Sequence, residues 1–488
     1  MQLSGEKIFG EIDDRGEASA LSGSCILRRV KNRSIWRGIV PVLTAVALAS
    51  GVFVSQLSRP PAIAAAREQP SANTGASYAQ VGPILQSRCA SCHNPQGGAP
   101  FNLLTYEDAK QWSGQILEVT QSRYMPPWLP APGKGDFVGE RRLSDAELAT
   151  LRAWVGAGTP GSGTPGSGTP GSGEAGSGTS GAGEAVATAG QALEWPLGTP
   201  DAVLTLTEPV TVPGNGRDVF TNLVVPFTVV PFTGNQARSL RAIQIRPSDP
   251  QAVRSVLLSF DETGKLQQTE GWQRGIAGME SPEDAAPGMA GLIFWSPGSQ
   301  TLKPRAGERW TVKPGSNLLL TTHLKTTGKK LALQFQIGLY YAPKPASGTG
   351  RATVLRLMHR GSIEIPAGAS ATTLEDSYKL PQAASVTAVY PRAHFLARTF
   401  DAYATTPSGK QVWLLSIPRW DVDWVDVYQY RHPVLLPRGT VIHWKVSYDN
   451  SAGNPHNPND PPVAVHGGAG AAEETDALML EMEPLRRQ

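Results

Sequence analysis

The sequence predicts a multidomain protein in which one N-terminal apolar helix precedes a small all-α domain and a large all-β module of two sandwiches. Three observations predict this class. Residues 38–57 carry no charge, residues 77–158 show helical periodicity around a cysteine pair, and residues after 194 alternate as strands do. The length of 488 residues is that of about three domains.

The first predicted element is the uncharged stretch GIVPVLTAVALASGVFVSQL, residues 38–57. About 20 apolar residues can span a bilayer, and positive charge on the flank keeps residues 1–37 in the cytoplasm. The string PAIAAA that follows resembles a signal-peptidase site, so a cleaved signal and an uncleaved membrane anchor both stay open. After a spacer at 58–76, we expect the remainder to be periplasmic. Five cationic residues precede the stretch: Arg28, Arg29, Lys31, Arg33 and Arg37.

The charge of the chain gives little reason to expect a nucleic-acid partner. The formal net charge is only +3, and lysine and arginine are dispersed after residue 40. A nucleic-acid-binding surface would require a basic stripe or patch. The composition instead predicts an interaction with the inner membrane, through the apolar residues 38–57.

The second element, residues 77–158, is a helical domain built around Cys89-Ala90-Ser91-Cys92-His93. In a C-x-x-C-H motif the two thiols form thioethers with haem vinyl groups and the imidazole ligates the iron. A C-x-x-C pair is also typical of a redox dithiol or half of a zinc site. The adjacent His93 disfavours the dithiol, and no second ligand pair lies nearby for zinc. The sequence therefore predicts one covalently bound haem c.

Met125 is the predicted sixth ligand of the haem iron. It is the only methionine between Ser77 and the linker, and His93 is the only histidine there. Three predicted helices, the motif near the start and a Met-bearing RYMPPW loop before the last helix resemble a class I cytochrome c domain. Histidine–methionine ligation raises the reduction potential and suits electron transfer, here to a redox partner protein or a terminal acceptor.

A linker at 159–193 separates the helical domain from the β module. The string GTPGSG occurs three times between Gly158 and Gly173, each copy sharing its end glycine with the next, and Gly, Ser, Glu and Ala fill most of the remainder. Such a composition cannot bury a core and behaves as a flexible tether. A tether lets the helical domain reach either the β module or a separate partner, and composition does not choose between them.

The third element is the β module, which we divide into sandwiches at 194–345 and 346–488. Gly, Pro and Asn punctuate its alternating apolar strings at short intervals. Nearly 300 residues is large for one sandwich, and APKPASGTGR near 342–351 is the predicted break. The predicted strands lie in AVLTLTEPVTV, NLLLTTHLK, QFQIGLYYA, ASVTAVYP, VWLLSI and TVIHWKVSYD.

Longer strings of the β module resemble the copper type II, ascorbate-dependent monooxygenases, a family that includes peptidylglycine and dopamine hydroxylases. The strings are GRDVF, AVYPRAHFLA, WDVDWVDVYQY and YDNSAGNPHNPNDPP, among others within 194–484. Bacterial members often carry an N-terminal cytochrome c domain. The resemblance implies two jelly-roll sandwiches with one copper site each, one of three histidines and one of His-x-His plus a methionine.

The copper ligands that the resemblance implies are mostly replaced in this chain. Only His323 of the first site and His394 of the second are kept. Since the two belong to different sandwiches, they are not expected to share a metal, and we do not expect copper. The replaced positions are Arg254 and Ser255 in the first site and Arg392 and Thr475 in the second.

The two arginines suggest what the altered sites do. A guanidinium is suited to carboxylate or phosphate. We therefore expect the cleft either to bind an anionic ligand or to close on an internal salt bridge. The alternative is an inactive site in which the two arginine side chains point into solvent.

Among other histidines, His359 has no partner at ligand spacing, and His443 and His466 are expected to face solvent. The tryptophan-rich residues 419–430 are expected to pack in the core.

Three functions remain open from the sequence. The first is an exported c-type cytochrome whose β module is a non-catalytic relative of the monooxygenases. The second is an active copper- or haem-dependent monooxygenase or oxidoreductase fed by the cytochrome domain, although no catalytic residue can be assigned. The third is a binding protein in which the haem is incidental, which Met125 argues against.

Overall fold

The structure is a computed structural model that describes residues 75–162, 195–279, 292–299, 301–305, 308, 310–343 and 353–484. These residues all fall within one compact unit, Pro70–Gln488. The predicted segments 1–37 and 38–57, nearly all of the spacer 58–76 and most of the linker 159–193 lie outside the described residues. In the part of the chain that is described, no helix is long and apolar enough to cross a membrane.

The region 75–162 is helical, with one more helix than the sequence predicts. The string TYEDAKQWSGQILEVTQSR, which the sequence pattern would make one of the three predicted helices, is divided at Trp112, whose backbone leaves helical geometry at φ −101° and ψ 10°. The Trp112 ring stacks on Phe101 with 4.3 Å between ring centroids, so packing of this ring accompanies the break. The helices are α1 Tyr78–Arg88, α2 Tyr106–Gln111, α3 Ser113–Gln121 and α4 Asp145–Gly156.

Helix α4 begins at the capping box Ser144-Asp145-Ala146-Glu147, a sequence pattern that is typical of a helix start. The Ser144 hydroxyl accepts a hydrogen bond from the Glu147 amide at 3.1 Å, and the Glu147 carboxylate accepts one from the Ser144 amide at 2.7 Å. Leu148, Leu151 and Trp154 then point inward from successive turns and pack on Val81 and Leu85 of α1. This small core places the end of α1, and hence the cysteine motif, at a fixed position.

The predicted all-β module is confirmed, and each of the six predicted strings contains a strand. The first sandwich packs the sheet β1-β11-β4-β8 against the sheet β6-β3-β9-β5-β7, with the pair β10-β2 beside them. Its core draws on both large sheets, for example Ile243 and Ile337 from one and Leu258 and Leu320 from the other. The strands are β1 Ala202–Thr205, β2 Val210–Val212, β3 Val219–Pro226, β4 Arg238–Pro247, β5 Val253–Asp261, β6 Ile276–Ala277, β7 Ile293–Trp295, β8 Trp310–Val312, β9 Asn317–Leu324, β10 Leu331–Leu333 and β11 Phe335–Tyr341.

The second sandwich packs the sheet β12-β21-β15-β18 against the sheet β14-β19-β16-β17, with the pair β13-β20 beside them. Val389 and Leu480 from the first of these sheets meet Phe400 and Val446 from the second in one core. The strands are β12 Thr353–Leu357, β13 Glu364–Ile365, β14 Thr372–Lys379, β15 Ala384–Pro391, β16 Ala397–Thr405, β17 Gln411–Ile417, β18 Tyr428–Leu436, β19 Val441–Tyr448, β20 Val465–His466 and β21 Leu478–Pro484.

The helical region is joined to the second sandwich by residues 124–138, which we call the docking segment. Phe137 is only 3% exposed and belongs to the core of the sandwich, where its ring lies 5.1 Å from Tyr430 and 5.4 Å from Tyr428. Backbone hydrogen bonds run from the Val138 amide to the Gln429 carbonyl at 2.8 Å and from the Ala131 amide to the Ser416 carbonyl at 2.7 Å. The docking segment therefore adds its own residues to the core of the β module.

We expect Phe137→Ala to lower the free energy of unfolding of the second sandwich by about 3 kcal/mol or more, because it empties a ring-sized volume in that core. Urea denaturation followed by tryptophan fluorescence measures the change. Val138→Ala is the matched control, since Val138 is the next residue and is 48% exposed. Equal stability of the two variants would contradict the docked arrangement.

Candidate functional site

The cysteine motif forms a tight turn at the end of α1. The amides of Cys92 and His93 both donate to the Cys89 carbonyl, at 3.1 and 2.9 Å, and the Cys89 amide closes the helix on the Leu85 carbonyl at 2.9 Å. Both cysteines are free thiols and half-buried. The turn thus presents two sulfurs and one imidazole from five consecutive residues, as the sequence predicts.

His93 is oriented by the backbone of the following loop. Its Nδ1 lies 3.0 Å from the Phe101 carbonyl oxygen, which can only accept, so Nδ1 carries the proton and Nε2 keeps its lone pair. Burial lowers the pKa of His93, and the bond to Phe101 opposes that shift. The imidazole is therefore held neutral with Nε2 available to ligate a metal.

The thiol of Cys89 does not have the properties of a redox dithiol. Burial, together with the neighbouring Cys92, raises its pKa to about 12. Reactive C-x-x-C cysteines have lowered pKa values instead. A zinc site is equally unsupported, because among the described residues no further Cys, His, Asp or Glu joins this motif within ligand reach. Of the three chemistries that the sequence leaves open, covalent haem attachment fits the donor set.

Met125 lies in the loop after α3, within the docking segment. Its amide donates to the Val119 carbonyl at 2.9 Å, its side chain is half-buried, and the Met125–Pro126 peptide is cis. The preceding ring, Tyr124, lies edge-on to Trp424 of the second sandwich at 6.4 Å between ring centroids. The loop that carries the predicted sixth ligand is therefore in contact with the β module.

The cysteine turn also contacts the β module, on the first sandwich. The Cys92 thiol donates to the Pro297 carbonyl at 3.3 Å. Gly298 has φ +92°, and a Cβ added there would lie 2.7 Å from the Cys92 sulfur and would also clash with the Ser91 carbonyl. Only glycine permits this close approach. Both loops with predicted haem ligands therefore meet the β module, one on each sandwich.

A charged cluster lies between the two sandwiches, which we call the Arg254 junction: Asp218, Arg254, His323 and Asp423. Arg254 Nη2 lies 2.7 Å from Asp423 Oδ2, and Arg254 Nε lies 3.3 Å from Asp218 Oδ2. Asp218 and Arg254 belong to the first sandwich, whereas Asp423 lies in a short 3₁₀ turn of the second at Val422–Trp424. The guanidinium therefore bridges the sandwiches through one carboxylate from each.

A β-bulge explains why Arg254 reaches this position. Val253 pairs with Leu324 and Ser255 pairs with His323 across β5 and β9, which leaves Arg254 as the extra residue. A bulge places two consecutive side chains on the same face and re-aims one of them. Arg254 and Ser255 consequently both lie on the outer face beside His323, while Val253 and Val256 point into the core.

His323 is neutral in this junction. Its Nε2 lies 2.8 Å from Asp218 Oδ2, and its ring stacks on Phe220 with 4.2 Å between centroids. Burial lowers the pKa of His323, against the opposing effect of Asp218. The hydrogen bond from His323 and the charge of Arg254 in turn outweigh burial at Asp218 and lower its pKa, whereas burial raises the pKa of Asp423.

Ligand atoms of Asp218, His323 and Asp423 lie within 4.8 Å of one another, and no other group of three such residues is found among the described ranges. A metal bound there would have to share the two carboxylates with the Arg254 guanidinium, which already supplies a positive charge at 2.7 and 3.3 Å. In this junction the Arg254 guanidinium thus supplies the positive charge that the carboxylates of Asp218 and Asp423 would otherwise offer to a metal ion.

The second pair of substituted positions is also enclosed in protein. Arg392 donates to the Tyr390 hydroxyl at 2.8 Å and to the Met279 carbonyl. His394 is fully buried, and its Nδ1 lies 2.6 Å from the Glu473 carbonyl oxygen. Thr475 is buried as well. His323 and His394 lie in different sandwiches, as the sequence indicates, and Arg254 and Arg392 are both bonded to protein groups.

The surroundings of four residues differ from what the sequence indicates or are not indicated by it. Asp218 and Asp423 lie within the quoted strings GRDVF and WDVDWVDVYQY, yet nothing in those strings marks them as partners of Arg254. His359, expected to lack partners, lies with its Nδ1 3.8 Å from both Asp376 Oδ2 and Asp476 Oδ2. His443, expected to face solvent, is half-buried and stacks on Tyr403 at 4.8 Å.

The tryptophan-rich residues 419–430 divide between core and interface. Trp420 and Tyr428 are buried in the second sandwich, in line with the expectation from the sequence. Trp424 instead meets Tyr124 of the docking segment. This stretch therefore supplies core residues, the junction carboxylate of Asp423 and a contact to the helical region.

No protein-family model matches the chain, and no curated protein matches it. Among solved structures it is similar to PNGF-II in two crystal forms. The P21 form is 9% identical at a TM-score of 0.22, covering 57% of this chain and 65% of PNGF-II; the C2 form is 11% identical at 0.24, covering 59% and 66%. The T=1 Penaeus vannamei nodavirus chain is 11% identical at 0.17, covering 58% and 98%. Likenesses of this size support no inference about fold or function.

We expect Arg254→Ala to lower the free energy of unfolding by about 1–3 kcal/mol, because it leaves two partly buried carboxylates without their shared cation. Lys313→Ala is the control, since Lys313 forms a more exposed ion pair with Glu262 at 2.7 Å and should cost less than about 1 kcal/mol. Urea denaturation measures both. A loss at Arg254 no larger than that at Lys313 would show that the junction does not hold the sandwiches together.

Proposed function

We propose that this protein is an electron-transfer protein carrying one covalently bound haem, with its haem domain docked on a β module that does not bind copper. The observation that carries the proposal is the cysteine turn. Two free thiols and an imidazole lie on one turn, and the His93 Nδ1 bond to the Phe101 carbonyl directs Nε2 to a metal. A covalently attached haem is the group that uses all three donors.

In this proposal Cys89 and Cys92 would hold the haem through thioethers, and His93 and Met125 would be the protein ligands of its iron. Haem so ligated supplies one-electron chemistry at a raised potential. The His93 ring packs on Phe101 in a tilted arrangement with 4.7 Å between centroids, and Phe101 stacks on Trp112 between α2 and α3 with 4.3 Å between centroids. These contacts and the Phe101 carbonyl thus position the imidazole without help from the haem.

We propose further that the β module is a non-catalytic relative of the copper type II monooxygenases. The presence of two sandwiches supports this proposal. The two ligand positions that are kept also support it, because His323 lies in the first sandwich and His394 in the second. The Arg254 guanidinium lies between Asp218 and Asp423, where a copper ion would meet like charge. We therefore assign Arg254 to an internal ion pair between the sandwiches and not to an anionic ligand, and we do not propose monooxygenation.

The contacts of the haem domain bear on where its electron goes. Both loops with predicted haem ligands touch the β module, where Gly298 packs against Ser91 on one side and Trp424 meets Tyr124 on the other. The hydrogen bond from the Cys92 thiol to Pro297 would be lost when that sulfur forms a thioether. Arg141 adds a 3.1 Å ion pair to Asp426. The haem domain therefore works in the docked state and passes its electron to a redox partner, a protein or a terminal acceptor outside the cytoplasm.

We expect Met125→Ala to keep its covalent haem but to lose the sulfur ligand, which lowers the reduction potential by about 0.1 V or more, within the range that axial ligands control. Potentiometric titration of full-length protein, matured with haem, measures this. Met358→Ala is the control, because Met358 is 46% exposed and lies in the second sandwich.

A double variant, Cys89→Ser together with Cys92→Ser, tests the covalent attachment. It should release the haem on denaturation, whereas wild-type protein should retain it. Wild-type protein that carries no covalent haem would refute the proposal outright. A Met125→Ala potential equal to that of Met358→Ala would refute the assignment of the sixth ligand only.

A further inference from the structure

The segment that carries Met125 has no apolar core of its own in the helical region. The core of that region draws on no residue of 117–142, although the structure describes every residue of this stretch. Three apolar side chains of the docking segment pack elsewhere, since Trp128, Leu129 and Phe137 all join the core of the second sandwich. In its packing, the loop around Met125 therefore belongs to the β module.

The packing of Trp128 brings this attachment close to Met125. The Trp128 ring lies edge-on to Tyr428 of the second sandwich, with 5.5 Å between ring centroids, and its centroid is 6.4 Å from that of Phe137. Trp128 follows Met125 by three residues, and the two residues between them are prolines. Because a proline ring fixes φ, a displacement of Trp128 is passed on to Met125 through a short, stiff piece of backbone.

An ion pair fixes the same piece of backbone to the second sandwich. Arg141 Nε donates to the Pro127 carbonyl at 3.1 Å, and Arg141 Nη2 lies 3.1 Å from Asp426 Oδ2. The guanidinium also lies over the Trp128 ring, 5.5 Å from its centroid. One side chain thus connects the carbonyl two residues after Met125 to a carboxylate of the β module.

The helical region holds Met125 by its backbone. The Met125 amide donates to the Val119 carbonyl of α3 at 2.9 Å, which fixes the start of the docking segment. The backbone beyond Met125 is held by the second sandwich instead. A ligating atom has to stay within about 0.5 Å of its place to bind a metal, so the contacts of Trp128, Phe137 and Arg141 decide whether the Met125 sulfur is available.

We propose that the second sandwich controls the sixth coordination position of the haem iron, an inference that rests on the proposed haem site. Trp128, Phe137 and Arg141 are its positioning residues. While the docking segment lies on the sandwich, Met125 keeps its place as a ligand. When the segment is released, Met125 leaves, and a small external ligand can take the position. Contact between the domains therefore sets the coordination of the iron.

Carbon monoxide binding to reduced, full-length protein that has been matured with haem tests this control, because the probe has to displace Met125. Phe137→Ala empties the volume that holds the docking segment and should raise the affinity for carbon monoxide about tenfold or more, since the position is then open in a larger fraction of molecules. Val138→Ala is the matched control and should bind as wild type does, because Val138 is 48% exposed. Equal affinity of Phe137→Ala and wild type would overturn the proposal.

The same change in a Met125→Ala background separates positioning of Met125 from a general disturbance of the haem domain. Met125→Ala alone should bind carbon monoxide more tightly than wild type. Adding Phe137→Ala to it should change the affinity less than about twofold, because no sulfur remains to be held. A gain in that background as large as the gain in wild type would overturn the proposal, since Phe137 would then act without Met125.

Phe137→Leu keeps an apolar side chain at this position and should raise the affinity about threefold. Circular dichroism checks the fold of each variant, and no gain in a folded Phe137→Leu protein would overturn the proposal if Phe137→Ala does not fold. Wild-type protein without covalent haem would refute the proposed function and this inference together. Wild-type protein that carries haem and binds carbon monoxide more weakly than Met125→Ala, with Phe137 variants that match it, would refute this inference alone.

Discussion

The rest of the structure depends on the insertion of Phe137 into the core of the second sandwich. One buried ring commits the docking segment to the β module, and the backbone bonds of Ala131 and Val138 continue the attachment on both sides of it. Met125 lies on the same segment, which follows α3, and α1, α3 and α4 share the small helical core. The burial of one aromatic side chain therefore fixes the segment that carries Met125 on the second sandwich, while the cysteine turn contacts the first sandwich at Pro297 and Gly298.

The Arg254 junction is the second constraint, and it joins the two sandwiches alongside the apolar cluster of Leu257, Tyr390 and Met479. A bulge in β5 turns Arg254 outward, and its guanidinium meets a carboxylate from each sandwich. A guanidinium is permanently charged and has a fork of donors, so it can bridge two carboxylates as a metal ion would. It cannot change valence, which separates this junction from a redox centre.

The cysteine turn, the capping box at Ser144 and the six predicted strands could be read from the sequence because each follows from residues only a few positions apart. The same holds for the position of His93 in that turn, directly after Cys92. The break at Trp112, the insertion of Phe137 and the pairing of Arg254 with Asp423 could not be read in this way. Each of them depends on contacts between residues far apart in the chain, and local periodicity contains no information about those contacts.

We propose that the protein has one redox centre, in the helical domain, and that the β module binds no copper. The content of iron and copper per chain tests this in full-length protein that has been matured with haem, exposed to excess copper and then dialysed. We expect one iron, retained on denaturation, and no bound copper. Two coppers per chain, or no iron, would show that the proposal is wrong.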